Sequence, residues 1–246
     1  MHAEPGNDGV RPRAIHRRGF RQKFGIAQAA VVSACLRTLF KISPEMDKAF
    51  RSILSTHTDA LLVLKALPHP SCHVGALPRA RLERSLFATG ESAGGQGHAR
   101  VMMLPALSDY FYARVCPAVD MHLDSFPSGG HAASMDALAA FTPTVTLPHA
   151  LLAGRGAQAF LAALRLPHLI ARIVPEYVPI ALARGTNGTF QHEQHVALQQ
   201  RVPRLRNASS QTPPACRPGH GCWGCEFVAI PSPLRLFSRH LLRTTE

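Results

Sequence analysis

Residues 123–136 read Leu-Asp-Ser-Phe-Pro-Ser-Gly-Gly-His-Ala-Ala-Ser-Met-Asp, an apolar strand end followed by a proline, a glycine pair, a histidine and the opening of a helix. Such a turn can hold an anion. Gly129 and Gly130 have no side chain to keep a ligand away from the backbone. The first amides of a helix beginning near residue 132 have no intrahelical acceptor, so they favour a charged group such as a diphosphate. Asp136, in the second turn, is spaced to accept hydrogen bonds from sugar hydroxyls. The same string also fits an ordinary strand-to-helix turn with an exposed aspartate, because short glycine motifs carry little information alone.

A second chemically capable group lies near the end of the chain. Cys216, His220, Cys222 and Cys225 gather four zinc-type ligands within ten residues. The loop between Cys216 and Cys222 is short and no separated second ligand pair follows, so a closed tetrahedral site would be cramped. No metal is therefore expected in the chain, with these four residues as the weaker alternative. Cys35, Cys72 and Cys116 fall singly in or beside apolar segments, as buried thiols of a reducing compartment do.

The glycine turn needs a scaffold, and the pattern around it supplies one. Short apolar runs at 29–36, 60–65, 99–104, 120–123 and 144–147 alternate with helical patterns at 43–54, 78–88, 107–116, 132–141 and 152–164. Ser43-Pro44 followed by two acids is a helix start. Five strand–helix pairs in series predict an α/β fold with a doubly wound parallel sheet, because parallel strands need crossover connections. Ligands of such sheets collect beyond the carboxyl ends of the strands. The folded domain is expected over 27–205, with a basic disordered tail at 1–26 and a Cys- and Pro-containing tail at 206–246.

The formal net charge is +12 over 246 residues, but its location matters more than its size. Residues 1–26 hold six Lys/Arg against two acids and residues 201–246 hold seven against two, which leaves fourteen against eleven in the middle. A nearly neutral folded part disfavours a nucleic-acid groove. No run approaches the roughly 18 apolar residues of a membrane span, and the N-terminus lacks the apolar core of a secretory signal. The expectation is a cytoplasmic protein, with a nuclear placement left open, and neither nucleic acid nor membrane as partner.

The run VDMHLDSFPSGGHAASMDALAAFTPTVTL, Val119 to Leu147, resembles the C-terminal catalytic lobe of the protein O-GlcNAc transferase family, which includes the plant SPINDLY type and its bacterial relatives. That family carries a Leu-Asp-(Ser/Thr) turn, then Gly-His-Thr-Thr-x-Met-Asp, then Gly-(Thr/Val)-Pro-x-Val-Thr-(Leu/Met)-Pro, and the spacing agrees without a gap from Asp124 to Pro148. Leu39-Phe40-Lys41-Ile42-Ser43-Pro44 is similar to the family's (Leu/Ser)-(Tyr/Phe)-Lys-Ile-x-Pro. The blocks LPALSDYFYARV, from Leu104, and HLIARIVPEYVPIALA add to the match. The resemblance covers about residues 28–205.

It implies the Rossmann-like C-terminal half of a GT-B glycosyltransferase, with UDP-GlcNAc or another nucleotide sugar as donor, no further cofactor, and Ser or Thr of proteins as acceptor. Carried over, Lys41 would stabilise the charge that grows on the departing diphosphate. The backbone of Gly130, His131, Ala132 and Ala133 would cradle the phosphates, Asp136 would hold the ribose hydroxyls, the backbone at Leu107 would lie beside uracil and Tyr112 would stack on it. The sequence departs from the family at Ala132 and Ala133, where two threonines are replaced, at Asp109, where animal enzymes have lysine, and at Phe141 and His149, where glycine is usual. The family's N-terminal catalytic lobe and its tetratricopeptide repeats have no counterpart before residue 27. The alternative reading is a non-catalytic nucleotide-binding or interaction remnant of the same fold.

Overall fold

Val31–Thr38 form strand β1, the middle of the sheet, in a computed structural model whose described residues are 10–65, 76–87, 100–104, 109–186 and 188–210. Small and β-branched residues make β1 suitable for burial on both faces, and Val31 to Leu36 are all buried. Ala60–Lys65 (β2) pairs with it in parallel from Val31↔Ala60 to Thr38↔Lys65, and Val101–Leu104 (β3) continues outward from β2. The chain then crosses back. Met121–Leu123 (β4) pairs with the other side of β1, and Thr144–Val145 (β5) follows it. The order is β3-β2-β1-β4-β5, every pairing parallel, so the strand order reverses between β1 and β4.

Helices cover both faces. On one, Pro44–Thr56 (α2) presents Met46, Phe50 and Ile53 at helical spacing to Cys35, Leu62, Leu64, Met121, Leu123 and Val145. Full burial of each such side chain contributes about 1.5–3 kcal/mol. Ala76–Phe87 (α3) joins this face through Leu82, held by Arg81, whose guanidinium donates to both oxygens of buried Asp47 at 2.7 and 3.2 Å and to the Ile42 carbonyl at 2.7 Å. On the other face, Val10–Lys23 (α1) and Asp109–Ala118 (α4) cover Val32, Ala34, Leu36, Leu61 and Val63.

His131–Ala139 (α5), Gly156–Ala163 (α6), Val174–Thr186 (α7) and Gly188–Ser210 (α8) complete the described structure. Leu138, Leu161, Leu164, Leu198 and Val202 form a separate core among α5, α6 and α8, while Tyr177 and Ala181 of α7 pack with α2. No helix among the described residues is long and apolar enough to cross a membrane.

Three expectations are corrected. The expected basic tail contains α1, and two of its charges, Arg17 and Arg21, are structural: buried Arg21 donates to the carbonyls of Ala27, Gln28 and Ala30 at 2.6, 3.0 and 2.9 Å and to Asp120 Oδ2 at 2.9 Å. Arg17, one turn earlier, reaches Asp120 Oδ1 at 3.0 Å. The counter-charge lies about a hundred residues away, so local sequence shows only the excess of arginine. At the other end, α8 continues to Ser210, past the expected boundary at 205 and through Pro203. Finally, β1 runs two residues later than 29–36, which puts Arg37 and Thr38 at its carboxyl end.

Candidate functional site

The strand order reverses between β1 and β4, whose outgoing connections run in opposite directions, and in parallel sheets such a reversal marks the carboxyl-edge crevice where ligands collect. From β1 come Arg37, Thr38 and a 3-10 turn, Leu39–Lys41. From β4 comes the loop 124–130, which leads into α5. Leu39 and Ile42 are buried and anchor the turn, which leaves Lys41 exposed between them. Ser43 then caps α2, its hydroxyl accepting from the Met46 amide at 3.2 Å and donating to the Phe126 carbonyl at 2.8 Å. One hydroxyl thus joins the Lys41 segment to the loop after β4.

Asp124 organises that loop. Its buried carboxylate accepts from the Gly130 amide at 2.6 Å and the Ser134 hydroxyl at 3.0 Å through Oδ1, and from the Thr146 hydroxyl at 2.8 Å through Oδ2. Its backbone carbonyl accepts from the Tyr177 hydroxyl at 2.8 Å, and its amide donates to Val145 O at 3.0 Å. The loop's far side rests on the 149–155 segment, with the Gly129 amide donating to Ala153 O at 2.8 Å.

The helix that follows begins with Gly130 as N-cap and no side-chain cap. The Ser134 amide donates to Gly130 O at 2.7 Å, so the amides of His131, Ala132 and Ala133 are the ones a helix start leaves without an internal acceptor. Gly130 itself is a partial correction to the expected cradle: its amide is used by Asp124, and it contributes close approach rather than a donor. The His131 ring is turned toward α6, where a Cβ on Gly156 would overlap it. Asp136 sits half-buried in the second turn of α5. Lys41 and His131 thus follow the carboxyl ends of neighbouring parallel strands and share one edge of the sheet.

The edge is positively charged. Arg37 and Lys41 both act on Lys65, at the end of β2, whose ammonium is held below its ordinary value first by burial and then by these two charges. Deeper in the sheet, His122 is wholly buried with neither ring nitrogen bonded, and its register partner Thr144 also has an unbonded hydroxyl. Burial pushes the His122 imidazole down to about 4, against the pull of Asp124 and with the help of Arg37. Leu107 and the four residues Cys216, His220, Cys222 and Cys225 lie outside the described residues, and of Tyr112 only the backbone is described, within α4. Among the described residues no group of three or more metal-ligating side chains occurs.

Residues 9–212 match the family model of glycosyl transferase family 41. The chain belongs to that family. It is 31% identical over 169 residues to the UDP-N-acetylglucosamine--peptide N-acetylglucosaminyltransferase of Caenorhabditis elegans, a match covering 68% of this chain and 14% of the nematode protein. Among solved structures it is similar to a mutant O-GlcNAc transferase of Thermobaculum terrenum, with a TM-score of 0.62, 27% identity and coverage of 73% of this chain and 33% of that one. WaaG, a glycosyltransferase of lipopolysaccharide biosynthesis, shares the fold at a TM-score of 0.55 and 14% identity, over 75% of this chain and 46% of its own. The family 41 chain therefore has the Rossmann-like α/β fold found in GT-B glycosyltransferases, and it spans a third or less of the relatives with O-GlcNAc transferase names.

Two residues of this family 41 lobe escaped the sequence reading. Asp124 stood inside the quoted motif with no role assigned, although an acid directly after an apolar strand and six residues before a glycine is placed to fold a loop back on itself. Arg37 was hidden by the two-residue shift of β1. Its Nε donates to Ser125 Oγ at 3.2 Å, and its side chain lies directly against Gly130.

Proposed function

We propose that this chain is the donor-binding lobe of a protein O-glycosyltransferase, taking UDP-GlcNAc or a related nucleotide sugar in the crevice between β1 and β4 and serving transfer to Ser or Thr of an acceptor protein. The observation that carries this reading is that the Lys41 turn and the start of α5, whose first amides have no intrahelical acceptor, follow neighbouring parallel strands at one edge of the sheet. Membership of a glycosyltransferase family and likeness to an enzyme named for UDP-N-acetylglucosamine support it.

In this reading the amides at the start of α5 hold phosphate oxygens at fixed positions, and their partial positive charge acts on the diphosphate without reorganisation during the reaction. Lys41 adds a mobile cation that opposes the negative charge growing on the leaving UDP. Asp136 accepts from ribose hydroxyls, while the backbone at Leu107 and the ring of Tyr112 take the base. Ala132 and Ala133 offer no hydroxyls, so the phosphates rely on backbone donors and cations.

Titration calorimetry of the 246-residue chain with UDP tests the reading, beside Lys41→Ala. The expected result is measurable binding that weakens about tenfold or more in the variant, as for loss of a charged contact. Equal affinity in both would remove Lys41 from the site, and no binding to the parent chain would overturn the reading as a whole. A radiolabelled UDP-GlcNAc assay on a peptide acceptor addresses transfer, for which we expect none from this chain alone: acceptor and donor must be aligned within one cleft, and the chain corresponds to 33% of the bacterial enzyme.

A further inference from the structure

We propose that Arg37 is a second phosphate-reading cation of the donor site, brought into place by the missing side chain of Gly130. The proposal rests on the nucleotide-diphosphate reading above and adds a residue to it. A Cβ built on Gly130 would stand 2.8 Å from Arg37 Cδ, closer than real Cβ atoms come, and 3.3 Å from Nε, tighter than most real contacts. The arginine stem therefore runs across the Cα of Gly130, the residue immediately before the open amides of α5. Glycine here serves close packing, since its φ of −105° is open to any residue.

Among the described residues the guanidinium is held on one side only. Nε donates to Ser125 Oγ, and the Ser125 hydroxyl is oriented in turn by donating to Ser128 O at 2.7 Å. The two terminal nitrogens have no hydrogen-bond or ion-pair partner among the described residues. The nearby carboxylate of Asp124 already accepts three hydrogen bonds from Gly130, Ser134 and Thr146. Arginine presents a flat fork suited to two phosphate oxygens, whereas lysine is a point charge. Arg37 and Lys41 approach the crevice from the end of β1, beside Lys65 at the end of β2, whose ammonium is pushed down first by burial and then by these two charges. Cations gathered at one edge attract an anion, and a diphosphate carries the matching charge.

The test compares UDP with UMP, which lacks one phosphate, by calorimetry on the full chain, with melting temperatures recorded to check folding. Arg37→Gln is expected to lower UDP affinity about tenfold and to change UMP affinity much less, so that the preference for UDP collapses, as expected for loss of a charged hydrogen-bonding partner. Arg37→Lys keeps the stem and the charge but not the fork, and it is expected to lose part of that preference. Gly130→Ala, by displacing the arginine, is expected to weaken UDP binding in the parent and to cost little more in the Arg37→Gln background, because coupled neighbours are not additive. An unchanged UDP-to-UMP ratio in folded Arg37→Gln and Arg37→Lys chains would overturn the role of Arg37 while leaving the donor site standing. Absence of UDP binding by the parent chain would remove both.

Discussion

The Gly130 amide donates to Asp124 Oδ1 at 2.6 Å, closing a six-residue loop through a carboxylate that also accepts from Ser134 and Thr146. The geometry of the turn before α5 is therefore fixed from beneath by a buried carboxylate. Asp124→Ala strands three buried donors, each costing about 1–3 kcal/mol, so urea denaturation is expected to show a loss of several kcal/mol. Asp124→Asn keeps the shape and one good acceptor and is expected to lose markedly less. Equal stability of Asp124→Ala and the parent would show that the loop does not depend on this carboxylate.

The anchor of α1 makes a second expectation. Asp120→Ala leaves the buried guanidinium of Arg21 without its counter-charge, a change that destabilises by about 3–5 kcal/mol in buried pairs. The double variant Arg21→Met/Asp120→Asn removes the buried charge and retains an acceptor for the Val32 amide, which Asp120 Oδ2 now accepts at 2.9 Å. It is expected to be more stable than Asp120→Ala alone. Denaturation curves and protease cleavage between residues 24 and 30 report on both stability and detachment of the helix.

Stability should also fall in acid through one histidine. His122 is kept neutral by burial, with a folded value of about 4 against an ordinary 6.5. Between those two values the unfolded chain binds a proton that the folded chain does not, so this contribution is fully present above pH 6.5 and is lost progressively toward pH 4. The loss amounts to about 3 kcal/mol at most. His122→Leu removes the titrating group, and the stability difference between parent and variant should change across that window and level off below it. A difference independent of pH would contradict a buried neutral imidazole.

Two glycines separate packing from backbone entropy. A Cβ on Gly156 would overlap the His131 ring, so Gly156→Ala is expected to shift the first turn of α5 and weaken UDP binding severalfold, although Gly156 lies in another helix. Gly19 is in α1 with open space around it, and Gly19→Ala is expected to raise stability by about 0.5–1 kcal/mol with donor affinity unchanged. Calorimetry and thermal melting distinguish these results.

The sequence disclosed the elements whose evidence is local. Ser43, Pro44 and the acids of the first turn mark α2, and the apolar runs at 60–65 and 120–123 became β2 and β4 with little change. The parallel order followed from the alternation of strands and helices. What stayed hidden depends on distant partners. Arg21 reads as tail charge until Asp120 stands opposite it, and Asp124 reads as one letter of a motif until Thr146 and Tyr177 converge on it. Gly130 was counted as an amide donor because its sequence position resembles those of its neighbours, whereas its hydrogen bond is directed inward.

The seam along which β1 meets β4 is narrow. Its register consists of Ser33↔Met121 and Ala34↔His122, whereas β1 pairs with β2 along most of its length. The sheet is thus continuous but joined over a short edge, with Lys41 following the strand on one side and the start of α5 the strand on the other. Under the proposed function a donor would touch segments on both sides of this seam, and its binding energy would be felt in the strands below. At a hundred times its dissociation constant UDP would stabilise the fold by about 2.7 kcal/mol. The amides of Ala34 and His122, at the seam between β1 and β4, are expected to gain protection from hydrogen exchange to that extent.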